Sequence, residues 1–299
     1  VKSYEKAIAI KPDYAKAHYN LGNTLHELNL LDDSIKSYER SLAIDPNYAE
    51  AFNNLGNVFK DLNDFDEAIN SYKKALVIKP DYFEVHYSLG IAFKGLGQLD
   101  DMIKHLKKAV KIQPDLAEVH YRIGVGLEEL GRLHEAIKSY QKVIEINPNF
   151  IEAYNHLGII FNELGRHDEA IEAYRNALEI NPDISESHNN LGNAFKALGR
   201  YDEAIESYQK ALEINPDYPA LHNNLGSVYK EIDRLDDALK SYKNALIYNP
   251  DYSESYNNLG TTFFELERFN EAFKALKKAI EIEPEYVDAH YNLAVTFKS

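Results

Sequence analysis

Apolar residues along the chain occur in short segments with the spacing of one face of an α-helix, and polar turns separate these segments. The clearest pair of segments lies within residues 185–218. The stripe of the first segment, at i, i+3, i+4 and i+7, consists of His188, Leu191, Gly192 and Phe195. The stripe of the second consists of Ala204, Tyr208, Ala211 and Leu212. Such stripes predict two short amphipathic helices.

Helix-breaking residues lie between the segments and recur with a fixed period. Gly199 follows the first predicted helix and Pro216 follows the second, so each is expected to end the helix before it. Nine of the ten prolines, from Pro12 to Pro284, are spaced 34 residues apart. A period of this length predicts a solenoid, in which each unit packs only on its neighbours.

The period divides the chain into repeats, whose positions are numbered from 1 at Ser185. Eight full repeats cover residues 15–48, 49–82, 83–116, 117–150, 151–184, 185–218, 219–252 and 253–286. Residues 1–14 correspond to the second half of a repeat, and residues 287–299 to the first half of another. We therefore expect a single array over residues 1–299, with about 18 helices and no strand.

Two positions of restricted composition indicate how the helices pack. Position 8 is glycine in all eight full repeats, as at Gly192, although a mid-helix glycine costs roughly 0.5–1 kcal/mol relative to alanine. Position 24 is tyrosine in most repeats, as at Tyr208. We expect the glycine to allow close approach of the paired helix, and the tyrosine to fill the space beside it.

Together, the Leu-Gly pair, the aromatic and alanine positions and the proline resemble the signature of the tetratricopeptide repeat over the whole chain. The resemblance implies an all-α fold, a right-handed α-α superhelix (TPR solenoid) of 34-residue helix-turn-helix repeats. It also implies that the polar face of each first helix lines the concave groove of the superhelix, where ligands usually bind.

Two other recurring features have structural interpretations. Asp or Asn at position 33 with Glu at position 2, as in Asp81 and Glu84, fits a helix capping box. Histidines at position 4 are separated by a whole repeat, so we expect them to pack in the core rather than to share a metal ion. They are His18, His86, His120, His188, His222 and His290.

The composition narrows the classes of function. The chain carries 48 acidic and 33 basic residues, and a formal net charge of −15 argues against a general binder of nucleic acid or anionic membranes. It has no cysteine, no phosphate-binding Gly-rich motif and no His-Glu-x-x-His motif. We therefore expect no catalytic residue, no metal site and no cofactor. The sequence also lacks an N-x-Ser/Thr sequon, which favours the cytoplasm.

Asparagines recur on the polar face of the first helices, at positions 5, 6 and 9. Asparagine is a poor helix former, so local propensity does not explain the series. A primary amide donates and accepts hydrogen bonds as a peptide group does, so a row of amides fits the backbone of an extended peptide. We call the candidates at positions 6 and 9 the asparagine ladder: Asn20, Asn54, Asn190, Asn224, Asn258, Asn292, Asn23, Asn57 and Asn193.

The asparagine ladder has two interpretations at this stage. It resembles the ladder of the superhelical tetratricopeptide repeats in O-linked N-acetylglucosamine transferases, which implies ligand contact. Alternatively, asparagine is simply a common polar residue in this repeat.

The repeats that begin at residues 83, 117 and 151 replace the ladder with other side chains. We call these the middle patch: Tyr87, Ile91, Tyr121, Arg122, Val125, His156 and Ile159. Apolar residues on an otherwise polar face predict a contact with a partner, and divergence of the repeats without a ligand is the alternative. Lysines at position 12 predict a basic strip along the groove; they are Lys60, Lys94, Lys196, Lys230 and Lys298.

The sequence thus favours a non-enzymatic scaffold that binds an extended peptide or a protein partner in its groove. One alternative is a structural protein that assembles end to end into a filament. Its contacts would involve Tyr4, Ala7, Ile8, Leu293, Ala294 and Phe297. The other alternative is the substrate-recruiting region of a larger enzyme such as a glycosyltransferase. The incomplete repeats also fit a segment of a longer array, which we favour over the filament.

Overall fold

The computed structural model describes residues 1–297. The chain divides into two compact units, one ending at Pro148 and the other beginning at Asn149. Lys298 of the predicted basic strip lies outside the described residues. The described part of both units is helical, without a strand, so the predicted all-α fold is confirmed. None of these helices is long and apolar enough to span a membrane.

The first unit contains nine helices within its described residues. They are α1 (Lys2–Ile10), α2 (Ala15–Glu27), α3 (Leu31–Ile44), α4 (Ala49–Asp61), α5 (Phe65–Ile78), α6 (Phe83–Gly95), α7 (Leu99–Ile112), α8 (Ala117–Glu129) and α9 (Leu133–Ile146). Each helix contacts the next one along the chain within this unit.

The second unit contains nine further helices in the part of the chain that the structure describes. They are α10 (Ile151–Glu163), α11 (His167–Ile180), α12 (Ser185–Ala197), α13 (Tyr201–Ile214), α14 (Pro219–Glu231), α15 (Leu235–Tyr248), α16 (Ser253–Glu265), α17 (Phe269–Ile282) and α18 (Val287–Thr296). Successive helices again contact each other. In both units, the first helix of a full repeat starts at position 1 and the second at position 17.

The turn between the two helices of a repeat requires a left-handed residue at position 15. Gly199 has φ +70° there, and its N–H donates to the carbonyl of Lys196 at 2.9 Å. The predicted helix stop at this glycine is therefore confirmed. Four repeats place a non-glycine residue in the same conformation, with φ between 55° and 60°: Asn29, Asn63, Asp233 and Glu267.

Helix pairs within a repeat meet where a glycine faces a buried tyrosine ring. A Cβ atom added to Gly192 would lie 2.7 Å from Cε1 of Tyr208, and one added to Gly158 would lie 2.5 Å from Cε1 of Tyr174. No carbon atoms pack at such distances, so only glycine fits. The close approach predicted from the sequence is confirmed. It explains why position 8 is glycine although a glycine within a helix is less stable than alanine.

The position-4 histidines join the first helix to the loop before it. In all six cases Nε2 lies 2.9–3.0 Å from the carbonyl oxygen of the proline six residues earlier. Their role is thus structural, and each ring bonds a carbonyl of the loop beyond the end of the preceding helix. The expected core packing holds for His18, His86 and His188, which are buried, whereas the other three are half-buried or exposed.

The predicted capping boxes are wrong. Helix α6 begins after Tyr82, the N-cap residue, whose side chain makes no capping bond, so Asp81 lies one residue too early. The loop is held instead from position 31. There the carboxylate of Asp45 accepts from the N–H of Asn47 at 3.0 Å. This side chain closes a turn around the proline before the next helix begins.

Candidate binding surface

The asparagine ladder lies on the first helices of its repeats, and all nine side chains are half-buried. Half-burial leaves each amide accessible on one side and in contact with protein on the other. Its hydrogen-bond partners therefore decide how much of the ladder remains available to a ligand.

In the first unit, Asn23 joins three helices. Its Oδ1 accepts from the hydroxyl of Tyr38 on α3 at 2.6 Å and from Nδ2 of Asn54 on α4 at 2.9 Å. Burial raises the pKa of Tyr38 to about 12, so the hydroxyl stays protonated and donates at neutral pH. The ladder amides here link one repeat to the next.

In the second unit, the amide of position 6 donates to position 5 of the preceding repeat. Nδ2 of Asn224 lies 3.1 Å from Oδ1 of Asn189 and 3.5 Å from Oδ1 of Asn193. The equivalent bond of Asn258 reaches Asn223 at 3.1 Å, and that of Asn292 reaches Asn257 at 2.9 Å.

Sequence analysis missed this role of the ladder. The spacing of the asparagines could have indicated these bonds. A residue at position 6 lies 35 residues after position 5 of the preceding repeat, and 31 residues after position 9 of that repeat. Both interpretations of the ladder treated the amides as surface groups, whereas most of them bond the neighbouring repeat.

The other half of several amides remains unpaired within the described residues. Oδ1 of Asn224 and of Asn258 accepts no hydrogen bond there, whereas their Nδ2 groups are engaged. At position 9 the pattern is reversed. Oδ1 of Asn193 accepts from Tyr208 at 2.6 Å, and its Nδ2 donates to no described residue. Position 6 thus offers free acceptors at Asn224 and Asn258, and position 9 offers a free donor at Asn193.

Within the first unit, the middle patch is more polar than its sequence indicates. The guanidinium of Arg122 lies 2.6 Å from a carboxylate oxygen of Glu118 and 5.8 Å from the centre of the Tyr87 ring. The Tyr121 ring lies 5.9 Å from that of Tyr140. Of the predicted residues, Tyr87, Ile91, Tyr121, Arg122 and Val125 are half-buried.

The remaining residues of the middle patch, His156 and Ile159, lie on α10 in the second unit. His156 is half-buried, and Ile159 is 38% exposed. Ile159 therefore offers the larger apolar surface of the two.

The position-12 lysines do not form a free basic strip. Nζ of Lys94 lies 3.4 Å from Glu129, and Nζ of Lys230 lies 3.1 Å from Glu265. Each carboxylate belongs to position 13 of the next repeat. These lysines are therefore balanced by acidic groups one repeat further along.

The residues predicted for an end-to-end contact are partly accessible. Tyr4, Ala7 and Ile8 are half-buried on α1, and Leu293 is half-buried on α18. Ala294 is exposed, as is Phe297, whose ring lies 5.1 Å from that of Phe273. The contact itself stays a prediction.

No group of three or more His, Cys, Asp or Glu side chains within the described residues could hold a metal ion.

Family profiles match most of this chain. A profile described as TPR repeat matches residues 1–29, 22–63, 56–97, 127–165, 159–199, 192–233 and 260–299. A profile described as tetratricopeptide repeat matches residues 83–116 and 219–252. The chain belongs to the tetratricopeptide repeat family. The predicted fold class, an all-α superhelical repeat of helix-turn-helix units, is thereby confirmed.

Solved tetratricopeptide repeat structures are similar to this chain. The structure of YrrB, described as a TPR protein with an unusual peptide-binding site, is 26% identical over 62% of this chain and 95% of its own, with a TM-score of 0.56. A structure of MamA is 33% identical over 54% of this chain and 95% of its own, with a TM-score of 0.52. None of the curated proteins matches the chain.

A third structure shows the fold alone. A tetratricopeptide repeat protein from Parabacteroides merdae is 18% identical over 83% of this chain and 98% of its own, with a TM-score of 0.59. Tetratricopeptide repeat proteins are generally non-catalytic adaptors with protein or peptide partners. This chain is a tetratricopeptide repeat scaffold, which is consistent with protein–protein interaction.

Proposed function

We propose that this tetratricopeptide repeat chain is a non-enzymatic scaffold that binds an extended peptide along the asparagine ladder. The observation that carries the proposal is the unused half of several ladder amides. In the second unit, Asn224 and Asn258 have free acceptors at position 6, and Asn193 has a free donor at position 9. A peptide group needs both a free acceptor for its N–H and a free donor for its carbonyl oxygen.

The hydrogen bonds between repeats support this role because they orient the amides in advance. Asn224 is fixed by two acceptors, and Asn193 is fixed by Tyr208. A ligand then loses less conformational entropy when it binds. Each uncharged hydrogen bond contributes about 0.5–1.5 kcal/mol, so several repeats together are needed. Contacts to the backbone imply weak preference for peptide sequence.

The similarity to YrrB also supports a peptide ligand. That protein is described as having a peptide-binding site, and the shared region is 26% identical. In this chain the middle patch is a candidate for the side-chain preference that the ladder itself does not supply.

The test separates the two halves of one amide. Asn193→Asp keeps an oxygen acceptor for Tyr208 and Asn224 but removes the free N–H donors. Peptides would first be selected for binding from a random display library and their affinities measured by fluorescence anisotropy. We expect Asn193→Asp to lower the affinity about threefold to tenfold with an almost unchanged melting temperature.

The control is Asn70→Asp, an exposed amide on α5 that bonds only Glu67. It introduces the same charge and should leave the affinity unchanged. Failure to enrich any peptide, or an equal effect of the two substitutions, would remove the ladder from the function.

End-to-end assembly is a second candidate, favoured by the exposure of Phe297, which reaches 70%. Phe297→Asp should then shorten any assembly while the helix content stays constant. A monomer at high concentration in sedimentation velocity would contradict it. The recruiting region of a larger enzyme stays a further prediction.

A further inference from the structure

One face of α7 carries a stripe of lysines. The four occupy i, i+3, i+4 and i+7, and all are exposed, while the opposite face of the helix is buried; they are Lys104, Lys107, Lys108 and Lys111. We call this stripe the α7 lysine face. It extends about 10 Å along the helix. The repeat that contains it, residues 83–116, is the only full repeat with a positive formal charge, since five lysines outnumber four acidic residues.

Two clefts border the α7 lysine face. One, of about 390 Å³, is lined by the four lysines together with Arg132, Ile103 and Asp100. The other, of about 560 Å³, is lined on its far side by Asp81 and His86. Lys108 and Lys111 line both clefts. An anionic side chain in either cleft would therefore meet more than one ammonium group.

The cations of this face are only weakly engaged within the chain. Lys104 lies 3.6 Å from Asp101 and Lys107 lies 3.5 Å from Glu135. Both pairs are exposed, and pairs of this kind contribute little to stability. Lys108 and Lys111 form no ion pair with any described residue. An anion that binds these lysines therefore replaces only weak ion pairs within the chain.

We propose that the α7 lysine face binds a carboxylate-rich segment of a partner protein. A segment of this kind places its charge over four lysines alone. A nucleic acid would also bring phosphates against the acidic surface of a chain whose net charge is −15. Lysines are point charges on flexible stems, suited to carboxylates at variable spacing. The site is separate from the asparagine ladder and holds whether or not the ladder binds peptide.

Helix α17 provides an internal control. It carries lysines at the first three equivalent positions and an acidic residue at the fourth; the four are Lys274, Lys277, Lys278 and Glu281. The carboxylate of Glu281 lies 3.6 Å from Nζ of Lys278 and 3.9 Å from Nζ of Lys277. Lys108 is thus unpaired on α7 while its equivalent on α17, Lys278, is paired with Glu281, and one residue among the four distinguishes the two faces.

A buried histidine beneath the lysine face reports on binding. Nδ1 of His105 lies 3.2 Å from Nδ1 of His86, and His105 is only 8% exposed. Burial, with His86 and then Lys108 and Lys104 beside it, lowers the pKa of His105 to about 4; Asp101 opposes this shift. Carboxylates bound at the lysines would partly offset the two ammonium charges, so the pKa of His105 should rise.

The experiment measures binding of a fluorescent hexaglutamate peptide to the full chain by anisotropy at low ionic strength. Lys111→Glu reproduces the α17 arrangement on α7, and we expect about a tenfold loss of affinity. Glu281→Lys does the reverse and should add a second binding site. Both substitutions are on exposed helix surface, and circular dichroism would check that helix content is unchanged. A proton NMR titration should show a higher pKa for His105 with peptide than without it.

Several outcomes would overturn the proposal. They are an unchanged affinity in Lys111→Glu, an equal loss in the control Lys277→Glu, or binding with no shift of the His105 pKa. Tighter binding of duplex DNA than of hexaglutamate would assign the face to nucleic acid, and peptide-independent dimers lost in Lys111→Glu would assign it to a second copy of this chain. None of these results depends on the ladder, so the two proposals fail separately.

Discussion

The repeats at residues 185–218 and 83–116 have helices of equal length and the same glycine at the turn, yet their polar interiors differ. In the first, Tyr208 donates from position 24 to Asn193 at position 9. In the second, the same positions hold Leu106 and Ile91. A leucine has no hydroxyl that needs an acceptor, so an apolar residue at position 9 costs nothing there.

The repeat at residues 117–150 extends the comparison. Where position 9 is Val125, the hydroxyl of Tyr140 instead donates to Glu128 at position 12, at 2.7 Å. The residue type at position 9 thus depends on which side chain accepts the hydrogen bond of the buried tyrosine hydroxyl, as well as on any ligand. The comparison teaches that part of the middle patch is a consequence of core packing, which favours the interpretation without a ligand for Ile91.

The largest effect should come from filling the glycine position. Gly192→Ala places a Cβ 2.7 Å from the rigid ring of Tyr208, which is fully buried. We expect a loss of about 1–3 kcal/mol in the free energy of unfolding, measured by urea denaturation. The matched change Gly90→Ala meets the branched end of Leu106 at 2.6 Å. Because that side chain can change rotamer, its cost should be smaller; equal losses would contradict this account.

The second prediction concerns pH, because position 23 is His105 in one repeat and Ser207 in the other. The pKa of His105 is lowered to about 4 in the folded chain, against about 6.5 unfolded. Between these values the unfolded state binds more protons, so stability is complete above the unfolded pKa and falls as the pH falls toward 4. We expect a loss on the order of 1–2 kcal/mol at pH 5 relative to pH 7.

His105→Ser should remove much of this pH dependence, and urea denaturation at both pH values measures it. His222→Ser is a suitable control, since that histidine is partly exposed on another repeat. A pH dependence that survives in His105→Ser would assign it to other groups.

A third prediction repairs a missing bond in the 83–116 repeat. Asn224 donates to Asn189 between successive repeats at 3.1 Å. At the equivalent places position 6 is Ser88 and position 5 of the preceding repeat is Asn53, whose buried Oδ1 has no hydrogen-bond partner among the described residues. Ser88→Asn should supply the donor and raise the free energy of unfolding by about 1 kcal/mol. A melting temperature that falls instead would show that the serine is needed where it is.

The smallest effect tests the tyrosine hydroxyl itself. Tyr208→Phe removes the bond to Asn193 and should cost about 0.5–1.5 kcal/mol. Tyr242→Phe is the matched control, because position 9 of its repeat is Ser227 and the Tyr242 hydroxyl makes no hydrogen bond to a described residue. Thermal denaturation of both variants measures the difference, and equal costs would mean that the asparagine is not the relevant partner.

Much of the architecture was readable from the sequence alone. The prolines, the position-8 glycines and the apolar stripes predicted the helices, the turns and the glycine–tyrosine contact, because these depend on local propensity and on a period that repeats eight times. The same local reasoning placed the capping boxes one residue too early, since the N-cap at Tyr82 is set by the loop that His86 holds through the carbonyl of Pro80.

The roles of the polar side chains were decided by tertiary structure. An asparagine reads the same in sequence whether its amide faces a ligand or the next repeat, because its partner lies 31 or 35 residues away and only the stacking of helices brings them together. The free acceptor of Asn224 and the free donor of Asn193 became visible once their other halves were seen to be engaged. Likewise, lysines at matching positions of α7 and α17 differ only in what surrounds them, since charge pairing depends on distance rather than on composition.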